Sequence, residues 1–361
     1  MKLAIIGTRG IPAQYGGFET LVEFLTKFLS EKMDITVFCS KENKWDSKTY
    51  NNSNLVFLPF NANGWQGIFY DSVSILKSYK KYDKILILGC ANFVMPLMKK
   101  YKNKFILNIG GIEWQREKWG RFIPMFIKYS ERICIANSNC LIADNEGIRD
   151  YLLKTYNRKS NIIEYGGDQA ERVTITERYV NKHLFLTEEY ILAVARIQPD
   201  NNIEMIIQSF NNIKKYKLVI IGNWNHSKYG KELRQRYQSM NTIILLDAIY
   251  DQEELNVIRS NTKLHLHGHS AGGTNPGLVE AMYLEMPIFC FDNVFNRYTT
   301  ENRSMYFSTA EELHTMLMNV SDESLRTMAH NMKEIAERRY KWELIANKYY
   351  KNISEVSEVT Q

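Results

Sequence analysis

Short runs of β-branched and other apolar residues recur along this chain, separated by longer stretches in which apolar positions return with a helical period. The first run, Lys2–Ile6 (KLAII), passes through a glycine-rich turn into the amphipathic stretch Leu21–Leu29. Continuously apolar runs this short predict strands buried on both faces, and helix-length spacers between them predict parallel sheets. The expected strands of the first half are Leu3–Ile6, Ile35–Phe38, Leu55–Leu58, Ile85–Leu88, Phe105–Asn108, Leu141–Ala143 and Ile162–Glu164. A second series comprises Ile191–Ala195, Leu218–Ile221, Ile243–Leu246, Leu264–His267 and Ile288–Phe291. The two series part near Gly166-Gly167-Asp168, where a polar stretch begins that runs to about Glu189. The pattern predicts two doubly wound α/β domains in tandem with a cleft between them. Ligands of such sheets bind beyond the carboxyl ends of the strands. The residues that fall there are Gly16-Gly17, Asn108–Glu113, Arg196, Gly222-Asn223 and the segment His267–Glu280.

Composition narrows the class. A chain of 361 residues is long for one core, and its 45% hydrophobic and 24% charged residues fit a soluble globular protein. No apolar run is long enough to span a bilayer, and no secretory signal is expected ahead of Lys2. The five cysteines are scattered without a CxxC pair, so free, buried thiols in a reducing cytosol are expected. Net charge is +6, but Lys77–Arg132 holds thirteen basic and four acidic residues, a net of +9 that leaves the rest at about −3. Such a basic region suits nucleic acid, an anionic membrane surface or a polyanionic substrate.

Two glycine-rich segments carry candidate chemistry. GTRGIPAQYGGFET (Gly7–Thr20) follows a strand and enters a helix, so its N–H groups and the helix dipole can hold an anion. It matches neither the nucleotide-triphosphate loop nor the dinucleotide fingerprint, and an ordinary strand-to-helix turn is its plainer reading. HGHSAGGTNPGLVEAM (His267–Met282) places Gly272, Gly273, Thr274 and Asn275 after a strand, then Pro276 at a helix start. N–H groups there can hold a pyrophosphate, with Glu280 a turn further on accepting from a ribose diol. Arg196, at the end of the run ILAVA, is placed to neutralise phosphate oxygens. Zinc spacings, HExxH and a convincing DxD are absent, so no metal is expected. His265, His267 and His269 share one face; His265 reads as core, and His267 and His269 as hydrogen-bonding groups.

Together with EWQREKWGRF (Glu113–Phe122), IADNEGIRDYL (Ile142–Leu152) and ARIQPDNNIEMII (Ala195–Ile207), these segments resemble bacterial rhamnosyltransferases of glycosyltransferase family 4. The likeness is greatest to β-1,4-rhamnosyltransferases of capsule, O-antigen and cell-wall polysaccharide assembly. It spans nearly the whole chain, including Tyr340-Lys341-Trp342-Glu343, which looks like the family's last helix crossing back to the first domain. The resemblance implies the GT-B fold, two Rossmann-like domains facing a central cleft. The acceptor-side domain would be 1–168, joined by a helix at about 340–361, and the nucleotide-sugar-binding domain 169–339. It implies a retaining, metal-independent transferase with no cofactor, dTDP-rhamnose as donor, and a saccharide acceptor on a polyprenyl diphosphate. Arg196, Glu113 and His269 become candidate catalytic residues. Gly16, Gly17, Arg196, Gly222, Asn223, Gly272, Gly273, Thr274, Asn275 and Glu280 become candidates for the donor, and Arg9, Tyr15, Glu19 and Trp114 for the acceptor. Three departures stand out: Gly272 replaces the first glutamate of the family's E-x7-E pattern, Asn201 its lysine, and Gly110 an aspartate common in the subfamily.

The basic region then reads as a membrane contact. In WQREKWGRFIPMFIKYSER, basic residues interleave with Trp114, Trp119, Phe122, Ile123 and Phe126, and Arg116, Lys118, Trp119, Arg121 and Phe122 are the interface candidates. The enzyme is expected in the cytoplasm, peripheral at the inner face of the cytoplasmic membrane. A UDP- or GDP-sugar donor, a nucleotide-sugar epimerase and a non-catalytic binding module stay open; nothing else resembles a nucleic-acid reader.

Overall fold

The computed structural model describes residues 1–14, 16–43, 45–90, 92–115 and 123–355. They form two compact units, one of 1–115, 123–165 and 342–355, the other of 166–341.

The first unit runs β1 (Lys2–Ile6), α1 (Gly17–Leu29), β2 (Asp34–Ser40), β3 (Thr49–Tyr50), β4 (Ser53–Leu58), α2 (Trp65–Ser78), β5 (Lys84–Leu88), β6 (Phe105–Asn108), α3 (Ile123–Ala136), β7 (Cys140–Ala143), α4 (Glu146–Tyr156) and β8 (Asn161–Ile162). Its sheet has the order β3-β4-β2-β1-β5-β6-β7-β8. All neighbours are parallel except the β3–β4 hairpin. Leu3, Ala4, Ile5 and Ile6 are fully buried, because helices cover both sheet faces and leave no polar side to the strand. The small hairpin is absent from the sequence expectation. Its turn residues Asn51 and Asn52 both have positive φ, the conformation of a two-residue turn that asparagine tolerates. Where Ile162–Glu164 was expected, the strand is Asn161–Ile162.

The second unit runs α5 (Glu177–Lys182), β9 (Tyr190–Val194), α6 (Ile203–Ser209), β10 (Lys217–Ile221), α7 (Lys228–Tyr237), β11 (Ile243–Leu246), α8 (Gln252–Ser260), β12 (Leu264–His267), α9 (Pro276–Tyr283), β13 (Ile288–Phe291), α10 (Val294–Thr299), β14 (Met305–Phe307), α11 (Ala310–Asn319) and α12 (Asp322–Arg339). Its parallel sheet has the order β11-β10-β9-β12-β13-β14. The order reverses beside β9, so the ends of β9 and β12 flank the switch point where such sheets take ligands.

The chain then returns to the first unit as α13 (Trp342–Glu355). Trp342, Ile345, Ala346, Tyr349 and Ile353 share a helical face and are buried. Trp342 stacks on Phe24 of α1 with ring centroids 4.5 Å apart and planes 3° from parallel. Tyr349 Oη accepts from Asn108 Nδ2 at 2.6 Å, and Lys348 pairs with buried Glu164 at 2.7 Å.

Candidate functional site

In the second unit the candidates gather beyond β9 and β12. Arg196 follows β9 with an exposed side chain, and its guanidinium has no acceptor among the described residues. Its loop is braced by Asn201, whose Nδ2 donates to the Arg196 carbonyl at 2.7 Å and whose Oδ1 meets His269 Nδ1 at 2.6 Å. Asn202 donates to the Gly268 carbonyl at 2.8 Å, and the Ser270 amide to the Asp200 carbonyl at 2.8 Å. Asn201, a departure from the lysine that the resemblance implies, thus ties the Arg196 loop to the segment after β12. Its sequence signal was only its place in the polar loop IQPDNN.

The start of α9 corrects one expectation. Asn275 caps the helix by accepting from the Gly277 amide at 2.9 Å, and its carbonyl takes the amides of Leu278 and Val279. Pro276 has no N–H. The first-turn donors are therefore satisfied within the helix. The amides of Gly272, Gly273 and Asn275 donate to no protein acceptor among the described residues, and Gly272 has φ +111°. Anion contact at this segment rests on the loop rather than on the helix turn. Thr274 is buried beside them.

Glu280 is not a free carboxylate. Arg259 contacts Oε2 at 2.7 Å and Gln169 donates to Oε1 at 2.7 Å, which fixes its orientation. A ribose hydroxyl would have to share those oxygens. Gly222 is also reassigned: its amide donates to the Leu246 carbonyl, and a Cβ there would lie 2.4 Å from the Ala195 carbonyl oxygen. It is a close-packing glycine beneath the Arg196 loop, while Asn223 beside it is exposed. His265, His267 and His269 form a buried row with ring centroids 6.2 and 6.1 Å apart. Burial, reinforced by His269, pushes the His267 imidazole down to about 3. Burial, with help from His267 and Arg259, holds His265 well below the usual histidine range. His267 Nε2 is buried without a partner, so the hydrogen-bonding role expected of His267 is not seen, whereas His269 has one.

In the first unit the glycine-rich loop after β1 is held by carboxylates. Glu19 Oε1 accepts from the Arg9 amide at 2.8 Å and from Thr8 Oγ1 at 3.1 Å, and Glu23 accepts from the Ala13 amide at 2.5 Å. Tyr70 Oη lies within hydrogen-bonding distance of the carbonyls of Thr8 and Phe38 and shares its one proton between them. Glu19 is buried and folded back on its own loop, its carboxylate engaged by Thr8 and Arg9. A Cβ on Gly16, where φ is +126°, would lie 2.0 Å from Glu19 Oε2, so only glycine lets this carboxylate reach the loop. The anion cradle shrinks to the amides of Gly16, Gly17 and Phe18, which have no protein acceptor among the described residues. Arg9 leans on the Asn63 amide oxygen at 2.7 and 2.8 Å. With Pro12, Gln14, Glu19, Glu42 and Asn43 it lines a small recess open to solvent.

Gly110 has a structural account. A Cβ there would approach Phe18 Cζ to 2.7 Å, and φ is +72°. The Phe18 ring occupies the space that an aspartate would need. Further along, Glu113 and Trp114 lie in a short 3-10 turn (Glu113–Gln115), both part-exposed. Trp114 Nε1 donates to Tyr151 Oη at 3.0 Å, and Lys128 sits 4.3 Å over its ring. Tyr15, Arg116, Lys118, Trp119, Arg121 and Phe122 lie outside the described residues.

The helix beyond them mixes its sides. α3 buries Ser130, Glu131, Cys134 and Ile135, yet exposes Met125 (73%), Phe126 (49%) and Tyr129 (61%). Nearby Leu97 is 80% exposed. No described helix is long and apolar enough to cross a membrane. Among the described residues, no group of three or more His, Cys, Asp or Glu side chains is placed to hold a metal ion.

Comparison with known proteins agrees with this two-unit fold. Residues 176–339 match the family model described as glycosyl transferases group 1, and residues 1–168 match a domain of unknown function, DUF1972. No curated protein matches the chain. Among solved structures, sucrose-phosphate synthase of Thermosynechococcus elongatus is similar with a TM-score of 0.81 at 16% identity, covering 99% of this chain and 100% of its own. Anabaena HepE in complex with UDP-glucose has a TM-score of 0.71 at 13% identity, covering 98% and 100%. A glycosyltransferase of Rickettsia africae has a TM-score of 0.71 at 14% identity, covering 99% of each chain. At these identities the likeness establishes the fold, which is GT-B.

Proposed function

We propose that this chain, a glycosyltransferase of two-domain GT-B fold, moves L-rhamnose from dTDP-rhamnose to a saccharide carried on a polyprenyl diphosphate, during assembly of a bacterial surface polysaccharide. The observation that carries the reading is the exposed, unpaired Arg196 in a loop tied through Asn201 to His269 and the open amides of Gly272, Gly273 and Asn275. A cation and unpaired amides fixed together suit the charge that grows on a departing nucleoside diphosphate. The reaction is read as retaining: the leaving group's own oxygen takes the acceptor proton on the face it vacates. Arg196 and the loop amides then stabilise the leaving group without a metal. Glu280, oriented by Arg259 and Gln169, is the group for the ribose. The rhamnosyl donor rests on the sequence resemblance. A UDP-sugar is the second reading, favoured by the similarity to a protein whose structure was determined with UDP-glucose.

Peripheral attachment to the inner face of the membrane is part of the same proposal. The exposed apolar side of α3 within a region of net +9 supports it, as such a surface fits an anionic bilayer. The test is nucleoside diphosphate release from dTDP-rhamnose, UDP-glucose, UDP-N-acetylglucosamine and GDP-mannose, with and without a lipid-linked saccharide. Release from dTDP-rhamnose that requires acceptor and persists in EDTA is expected. Acceptor-independent interconversion would mean an epimerase, and no turnover with any pair would defeat the reading.

A further inference from the structure

One buried carboxylate is left without a task by the transfer chemistry. Glu131, on the inward side of α3, is 2% exposed. Tyr151 Oη donates to its Oε1 at 2.5 Å and Tyr156 Oη donates to the same oxygen at 2.7 Å, both from α4. No ion pair with Glu131 is formed among the described residues. Burial raises its carboxyl, against the opposing effect of the two phenols, of Lys128 and of the nearby Trp114 indole. Burying a carboxylate is expensive even when hydrogen-bonded, and an apolar contact would join two helices at lower cost. Holding α3 to α4 is therefore a poor explanation for it.

The direction of the hydrogen bonds supplies a better one. A phenol has one proton. Because Tyr151 gives its proton to Glu131, its lone pair faces outward and accepts the indole N–H of Trp114 at 3.0 Å. While Glu131 is ionised it has no proton to donate, and the polarity is fixed in this direction. A neutral amide at 131 could reverse it and turn a proton toward the indole. Lys128, one turn before Glu131 on α3, meets one face of the same indole at 4.3 Å. The ring is thus fixed at its N–H edge and on one face, while the residue stays part-exposed.

We infer that Glu131 is a positioning residue: acting through Tyr151, it presents Trp114 as a rigid platform on which a pyranose ring of the saccharide acceptor stacks. This rests on the reading of the chain as a transferase to a saccharide. Ring carbons and C–H bonds of a pyranose suit an aromatic face, and pre-fixing the indole lowers the ordering penalty of binding.

The experiment is steady-state kinetics with the donor that turns over and a panel of octyl glycosides (glucoside, galactoside, N-acetylglucosaminide, rhamnoside) as acceptors. Wild type, Tyr151→Phe, Glu131→Gln and Trp114→Phe are compared. Tyr151→Phe keeps the ring and removes the bridge; it is expected to raise acceptor KM about ten-fold, with kcat and donor KM within about two-fold. Trp114→Phe should do the same, and the double variant should be no worse than either single. In spectra of enzyme labelled at the indole nitrogens, the Trp114 N–H resonance should move in Glu131→Gln and Tyr151→Phe. An unchanged acceptor KM in Tyr151→Phe, or parallel loss of kcat and both KM values with a lowered Tm, would overturn the inference and leave the transferase reading standing. If wild type uses no donor with any glycoside or lipid-linked acceptor, the transferase reading fails first and this inference falls with it.

Discussion

At the scale of single residues, Arg196 is the sharpest test. Its guanidinium is exposed and unpaired among the described residues, so Arg196→Ala removes no contact that the fold needs. Turnover should fall at least about 100-fold while Tm stays within a degree or so. Unchanged kinetics would take Arg196 out of the site. Asn201→Ala is its opposite: it removes the hydrogen bonds to the Arg196 carbonyl and to His269 Nδ1, and unfolding in urea should show a loss of about 1–3 kcal/mol together with lowered activity. Gly110→Ala should cost about 1–3 kcal/mol from its backbone conformation alone, with the Phe18 contact added. Phe18→Ala should return only the contact part, which a double-mutant cycle measures. These residues also mark where the sequence stops being readable. Arg196 stands out because a cation ends an apolar strand. That Glu19 folds back on Arg9, or that Phe18 fills the room above Gly110, depends on which side chain turns inward, and no spacing encodes that. Glu131 left a faint trace, as a charged residue on the apolar side of SERICIA.

At the scale of elements, the strands were legible because burial on both faces demands unbroken apolar runs. β3 and β14 were not. The first is two residues long and announced only by Asn51-Asn52, and the second is a three-residue edge strand. The sequence marked α3 as part of a basic, aromatic stretch but not which of its residues turn inward: Ser130 and Glu131 are buried, while Met125, Phe126 and Tyr129 are exposed. If that face meets lipid, Met125→Asp with Phe126→Asp should weaken co-sedimentation with anionic vesicles roughly ten-fold, and binding to wholly zwitterionic vesicles should be weak for both proteins. Equal sedimentation of variant and wild type would argue against it. The histidine row of β12 predicts a pH effect. Folding lowers His267 to about 3, so the unfolded chain binds a proton near its usual 6.5 that the folded one refuses. The stabilisation is full above about 6.5 and is lost as pH falls from there toward 3. Tm should decline through that window, and less so in His267→Gln; identical profiles would be contrary evidence.

At the scale of the whole molecule, a chain boundary near Gly166-Gly167-Asp168 was expected from composition, and the units divide at 165/166. The return of α13 to the first unit was expected only from the resemblance carried by Tyr340-Lys341-Trp342-Glu343, since its apolar face alone would suit either core. Trp342→Ala would remove a stacked, buried indole and should destabilise the first unit by about 3–5 kcal/mol, seen as an earlier transition in a melt that separates the two units. A single unshifted transition would count against that assignment.

That returning helix also sets an order of events during synthesis. Asn108 finds Tyr349 across 241 residues, so the first unit, though translated first, has its last wall made last. While the ribosome completes 166–341, Phe24 and the outer side of α1 have nothing to pack against. The unit with only local partners can finish folding meanwhile. The nascent protein therefore passes through a stage with one settled half and one sticky half. Production at low temperature or with a holdase chaperone should raise soluble yield more for this chain than for the segment 166–341 alone.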